Sequence, residues 1–279
     1  MNLIPVETPE DFLLAQQFVI SYEKFCVSLA SYIRRKSENL FFIVESSIPT
    51  KISDIFGIIY LDYTIHHCIP DLSNIDKSHF DELLNKAIKK PVRCISGESN
   101  GTEFLLSLLS KDNFHSFGYI MMELPLRTDL PEHKLYNGDE IFRCTENEIE
   151  SLTPLQKDYM KDEVAIPGHK ITDAESAIML RQILKNQVCL AIISNGEIVA
   201  KANTNAIGFN CVQIGGVYTH PLFRQNGYAS ILVTTLCNKI RHAKRNPVLF
   251  VKEKNIPAFN LYQKLGFKEC GQYTIAYCK

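Results

Sequence analysis

The stretch Cys211–Ser230 reads CVQIGGVYTHPLFRQNGYAS. Val212 to Thr219 is an apolar run with β-branched and aromatic residues and a Gly215-Gly216 pair, which reads as a strand. His220-Pro221 favours extended or turn geometry. After Arg224-Gln225-Asn226-Gly227 a helical pattern starts, with Ala229, Leu232, Val233, Leu236 and Ile240 on one face at spacings of three and four. The segment is therefore strand, tight basic turn, helix. The first amides of a helix lack internal partners, and the dipole there favours negative charge. Gly227 removes the side chain that would hold a phosphate off the backbone, and Arg224 adds a fixed positive charge.

Working outward, Val248 to Val251 is a short continuous apolar run, as expected of a strand buried on both faces. Strand, helix and strand make a β-α-β unit, so the two strands are expected to be parallel with a right-handed crossover. Asn255-Ile256-Pro257-Ala258 then opens a helix with proline in its first turn. Ala258, Leu261, Tyr262 and Leu265 follow at helical spacing, and Gly266 stops it.

A turn of this kind suits three phosphate-binding schemes. The dinucleotide fingerprint needs three glycines and finds only Gly227, and the nucleotide P-loop needs a Gly-Lys-Ser/Thr that is absent. The third is the R/Q-x-x-G-x-G/A turn that grips the diphosphate of coenzyme A, and Arg224, Gly227 and Ala229 fit it residue for residue. This segment resembles motif A of the GNAT N-acetyltransferase superfamily. The pattern N-x-x-A-x-x-x-Y-x-x-x-G-F, met by Asn255, Ala258, Tyr262, Gly266 and Phe267, is similar to the second GNAT signature. The resemblance covers residues 140–279 and is sharp over 211–267.

The resemblance implies an α/β fold with a mixed sheet and acetyl transfer from acetyl-CoA to an amine within one ternary complex. It implies that the backbone of Val217, Tyr218 and Thr219 holds the pantetheine arm and polarises the thioester carbonyl. The turn Arg224, Gln225, Asn226, Gly227, Tyr228, Ala229 and Ser230 would hold the diphosphate. Asn255 would join the cofactor site, and Tyr262 would be the general acid for the departing sulfur. Many members carry a glutamate base on the strand before the turn. Here those positions read Gly215 and Gly216, so the base is Glu163, His169 or Glu253, or water relays the proton. The expected acceptor is a small amine or amino acid derivative. The missing strand carboxylate also keeps open a coenzyme A-binding regulatory module without turnover, and the first half keeps open an interaction protein.

Composition bounds these readings. A chain of 279 residues, 46% apolar and 22% charged, is that of a globular protein with one large or two ordinary domains. No apolar run approaches the ~18 residues of a membrane span, and MNLIPVETPEDF lacks the pattern of a signal peptide. Nine scattered cysteines without a C-x-x-C pair favour reduced thiols in a cytoplasm over disulfides or zinc. No nucleic-acid, membrane or metal site is expected. The net charge of −1 divides into −5 over residues 1–136 and +4 over 137–279, which is either chance or a polyanion-binding half.

The first half reads as a helix over 8–36 capped by Thr8 and Pro9, strands at Phe41–Glu45 and Phe56–Tyr63, a helix around Phe80–Ile88, a strand at Val92–Ile95, a helix at Phe104–Leu109 and a strand at Tyr119–Leu124. His66-His67-Cys68 invites a metal reading, but adjacent strand side chains face opposite ways. Residues 125–139, with two prolines and an Asn-Gly pair, are the best linker. The expected division is residues 1–125 as an α/β domain, 126–139 as linker and 140–279 as the acetyltransferase domain. The second half adds a strand at Glu140–Cys144, helices at Leu155–Val164 and Ala174–Leu184 with Thr172 and Asp173 at the start of the latter, a hairpin turning at Asn195-Gly196, and a last strand at Cys270–Cys278. Its order of elements is roughly that of the first half, which suggests that the first half is a degenerate copy of the same fold.

Overall fold

In the computed structural model, the first half comprises β1 (Asn2–Pro5), α1 (Pro9–Ile20), α2 (Val27–Arg34), β2 (Leu40–Val44), β3 (Ile55–Leu61), β4 (Thr64–Cys68), α3 (Lys77–Ala87), β5 (Cys94–Glu98), α4 (Ser99–Leu108) and β6 (Phe114–Glu123). The second half comprises β7 (Glu140–Arg143), α5 (Ile149–Tyr159), α6 (Asp173–Asn186), β8 (Cys189–Ser194), β9 (Glu197–Ile207), β10 (Cys211–Thr219), α7 (Tyr228–His242), β11 (Asn246–Lys252), α8 (Ile256–Lys264) and β12 (Lys268–Cys278). The structure describes all residues except 46, 110–112, 137 and 167; Asn137 of the expected Asn-Gly turn lies outside the described residues.

The strands form one mixed sheet in the order β1-β2-β3-β4-β5-β12-β6-β11-β10-β9-β8-β7. Read from either edge, each half lays down five strands in sequence. The sixth strands, β6 and β12, are exchanged: β12 lies between β5 and β6, and β6 lies between β11 and β12. The parallel pairs β4·β5 and β10·β11 take the same place in each half. The first half thus repeats the fold of the second, as its order of elements suggested.

Helices cover both faces, so strand residues alternate between two cores. On β8, Leu190 and Ile192 pack with Leu232, Val233 and Leu236 of α7, while Cys189 and Ala191 pack with Leu152 of α5 and Leu180 of α6. Helix starts follow the chain's own signals. Thr8 and Asp11 form a capping box with Pro9 in the first turn of α1, and Thr172 does the same with Glu175 for α6. Gly266 ends α8 at a left-handed φ of 91°.

Several expectations need correction; α4 and β6 each begin earlier than expected, at Ser99 and Phe114. The helix over 8–36 is broken by a short three-ten turn, Glu23–Phe25, because the Glu23 side chain turns inward to bind backbone of the second half. The helix over 155–164 begins earlier, at Ile149, and closes in a π turn, Met160–Val164. The strands Asn2–Pro5 and Thr64–Cys68 were not separately expected: one is only four residues long, and the other follows β3 through a tight turn at Asp62 and Tyr63.

Candidate active site

β10 and β11 pair only from Cys211↔Asn246 to Ile214↔Leu249. Beyond Ile214 the two strands part, and β10 carries a bulge: Gly215 faces Asn203 and Tyr218 faces Lys201 on β9, so Gly216 and Val217 together oppose one residue. The ladder is interrupted where backbone groups face the gap between the strands.

The turn after β10 is held by its own side chains. Arg224 Nε donates to the Thr219 carbonyl at 3.2 Å, and Asn226 Nδ2 donates to the Phe223 carbonyl at 3.3 Å. Gln225 and Gly227 adopt left-handed φ values of 67° and 78°. Gly227 begins α7 with no side-chain cap, and a Cβ there would meet nothing within 4 Å. An uncapped helix start at an exposed glycine fits a diphosphate. The Thr219 hydroxyl is buried without a partner, a further polar group at this point of the strand.

The other expected residues divide by what their side chains do. The Tyr228 hydroxyl donates to Asp139 at 2.7 Å, and its ring is buried in the α7 core, leaving only its backbone to the turn. Ser230 Oγ lies 2.8 Å from His133 Nε2. The Tyr218 hydroxyl donates to Asp162 Oδ2 at 2.8 Å, and Arg224 Nη2 stands 3.5 Å from the same oxygen, its guanidinium over the Tyr218 ring. Ala229 sits half-buried in the first turn of α7.

Beside the parted strands lies a cavity of about 520 Å³. The second half lines it with Gly215, Gly216 and Val217 of β10, Tyr159, Glu163, Asn255 and Tyr262. The first half adds Ser31 and Tyr32 of α2, His66 of β4 and Tyr119 of β6, while the exchanged β12 adds Tyr277. Asn255 caps α8 by accepting from the Ala258 amide at 3.1 Å, and its Nδ2 donates to Glu163 Oε1 at 2.8 Å. Burial raises the Glu163 carboxyl above the usual glutamate range, opposed by the positive charges of Lys252 and Arg224. Burial also pushes the Tyr262 hydroxyl well up, and that of Tyr159 to about 12, so both stay protonated. Of the three candidate bases, only Glu163 lines the cavity. His169 pairs with Glu175 at 3.0 Å, and Glu253 is exposed.

His66 and His67 do face opposite ways. His66 lines the cavity. His67 is wedged against Gly97 and Gly101, with its Nε2 2.8 Å from Thr102 Oγ1.

Residues 151–267 match the acetyltransferase (GNAT) family model. The C-terminal half carries a GNAT domain. Among solved structures, a Drosophila protein aligns over 99% of this chain and 98% of its own, with 10% identity and a TM-score of 0.67. An acetyltransferase from the GNAT family of Colwellia psychrerythraea aligns over 100% and 99%, with 9% identity and a TM-score of 0.55. A GNAT-family protein from Novosphingobium aromaticivorans aligns over 59% of this chain and 66% of its own, with 17% identity and a TM-score of 0.45. No curated protein matches. At such identities the likeness concerns the fold, and it extends beyond the GNAT domain to both halves. No helix of the described residues is long and apolar enough to cross a membrane.

Sequence reasoning missed Tyr159, Asp162 and Lys201, and every first-half residue at this cavity. One signal was available: Lys201, Asn203 and Asn205 form a polar row at a spacing of two in β9, where the intervening residues include Ala202 and Thr204, which marks one polar face on a largely buried element.

Proposed function

We propose that the chain transfers the acetyl group of acetyl-CoA to the primary amine of a small-molecule or amino-acid-like acceptor, by direct attack within a ternary complex. The single observation that carries this reading is the adjacency of three features: parted parallel strands, an uncapped helix start at Gly227, and a cavity holding Tyr262 and Glu163. The diphosphate sits on the backbone of Gln225 to Ser230 beside Arg224. The pantetheine arm follows the backbone of Val217, Tyr218 and Thr219 into the gap, with Asn255 at its edge. The amine occupies the cavity.

Each proton has a group to move it. Glu163, half-buried with a raised affinity for protons, takes one from the acceptor ammonium, directly or through a water, and so frees the amine lone pair to attack. Tyr262, protonated throughout the working range, offers one to the thiolate that leaves. The amine adds to the thioester carbon, the adduct collapses with cleavage of the carbon–sulfur bond, and the nitrogen's remaining proton restores Tyr262 through water, so that the N-acetylated amine and free coenzyme A depart. The first half supplies the cavity wall through Tyr32, His66 and Tyr119, which supports a role for it in choosing the acceptor.

The reading is tested by titrating acetyl-CoA into the protein by calorimetry, then following thiol release with a panel of primary amines. Saturable binding with amine-dependent release supports it. Binding without release from any amine favours the regulatory module, for which the glycines at 215 and 216 are the motivating observation. Absence of binding removes both.

A further inference from the structure

Lys201 of β9 has no exposed surface, and its Nζ has no carboxylate partner among the described residues; burial lowers its pKa, and the Gly216 carbonyl, Asn203 Oδ1 and the Tyr159 ring are the contacts that favour its charged form. Burying an unpaired ammonium is among the costliest choices open to a fold, and an apolar side chain of the same length would fill the same space. What the ammonium does touch is specific. Nζ donates to the Gly216 carbonyl at 2.9 Å and to Asn203 Oδ1 at 3.2 Å, and it lies over the Tyr159 ring at 4.8 Å. All three partners line the cavity, and Gly216 is the residue at which β10 bulges.

The bulge leaves no room for a side chain at its turning point. Gly216 sits at a φ of 58°, and a Cβ there would collide with Asn203 Oδ1. With its carbonyl held by Lys201, the trans peptide turns the Val217 N–H away from that side chain, at the point where β10 has left β11. That is the gap into which the thioester would reach.

We propose that Lys201 is a positioning residue for the reaction: it locks the Gly216–Val217 peptide so that the Val217 amide meets the thioester oxygen, and its buried charge strengthens that amide as a donor. The assignment rests on the acetyl-transfer reading of the cavity. As the amine adds, negative charge builds on the thioester oxygen, and a fixed donor backed by a desolvated cation stabilises it without reorganisation. The ammonium never touches the substrate; it acts through one peptide unit.

The test needs no acceptor. The protein is loaded with acetyl-CoA labelled at the carbonyl carbon, and the thioester stretch is read by isotope-edited infrared spectroscopy. In the wild type the band shifts to lower frequency than in free acetyl-CoA. Lys201→Met is expected to bind acetyl-CoA within about threefold of wild type but to lose the shift, and to lower turnover on the order of tenfold or more. Lys201→Gln keeps a neutral donor and is expected to retain part of the shift. A wild-type band in Lys201→Met overturns the proposal, as does a loss of affinity that accounts for the whole loss of turnover. If Lys201→Met does not fold, Lys201→Gln decides: a full wild-type shift there removes the role of the charge. If the wild type does not bind acetyl-CoA, the reading of the cavity fails instead. The Val217 amide resonance then tests Lys201 alone, and an unmoved resonance in the variant overturns the assignment.

Discussion

The Glu23 carboxylate, only 2% exposed, accepts from the Cys211 amide at 3.0 Å and from the Asn210 amide at 3.0 Å through each oxygen. One side chain of the first half thereby pins the start of β10, the strand that forms the site. Gly208 leaves room for it, since a Cβ there would collide with Glu23 Oε1. Glu23→Ala strands these donors and is expected to cost about 2–4 kcal/mol, because buried groups left unpaired carry their full desolvation penalty. Glu23→Gln keeps one acceptor and is expected to lose less. Urea unfolding of both variants checks the order; equal stability of Glu23→Ala and wild type removes the link.

Tyr262→Phe deletes one oxygen from a buried ring at the cavity. Turnover is expected to fall about 100-fold, the range of a lost general acid, with acetyl-CoA affinity unchanged. Thiol-release kinetics beside a calorimetric titration separate the two. Unchanged turnover would return Tyr262 to a purely structural place on α8.

Glu163 gives a pH signature in two directions. As a base it must be ionised, so turnover is expected to rise with pH through a folded-state value above the ordinary glutamate range, and Glu163→Gln is expected to lose that limb along with most activity. Its folded value is raised above the unfolded one. Its contribution to stability is therefore fully present below the unfolded value and lost as pH rises through the folded one. Glu163→Gln keeps the acceptor for Asn255 without the charge, and its melting temperature at pH 7 is expected to match or exceed wild type. A pH–rate profile and a melting series at several pH values check both signs. A variant with the wild-type profile takes Glu163 out of the mechanism.

The turn itself is tested at Gly227. Ala at a φ of 78° costs roughly 1 kcal/mol of strain, yet the new methyl meets no protein atom. A small loss of stability is expected beside a much larger loss of acetyl-CoA affinity, tenfold or more on the order of one displaced phosphate contact. Equal affinity in Gly227→Ala would mean that no phosphate lies against this backbone.

These tests concentrate where the sequence was easiest to read. The geometry of Gly227, Gly266 and the Asn255 cap is decided within a few residues, by glycine at positive φ and by side chains that reach their own backbone. The break at Glu23 is decided by amides almost two hundred positions later, and no local pattern announces it. The same holds for the cavity wall. Tyr119 and Tyr277 reach it on β6 and β12, the strands that cross into the opposite half, and strand register across such distances has no local signature. Lys201 stood in plain view within a polar row, but its burial depends on Tyr159 and Gly216 folding over it.

The exchanged strands make a last prediction about the proposed division into residues 1–125 and 140–279. A fragment of residues 126–279 keeps β11 and β12 but lacks β6, which hydrogen-bonds to both. It also loses Met122, which packs into the same core as Leu232, Leu249 and Phe267. Two unpaired strand edges flank the empty place, and exposed edges of that length invite aggregation. The fragment is expected to be insoluble or poorly folded alone, and to regain native dispersion in amide spectra when expressed with residues 1–125. An independently folded fragment that binds acetyl-CoA would show that β6 completes the sheet without being required for the site, and would move the first half from scaffold to accessory.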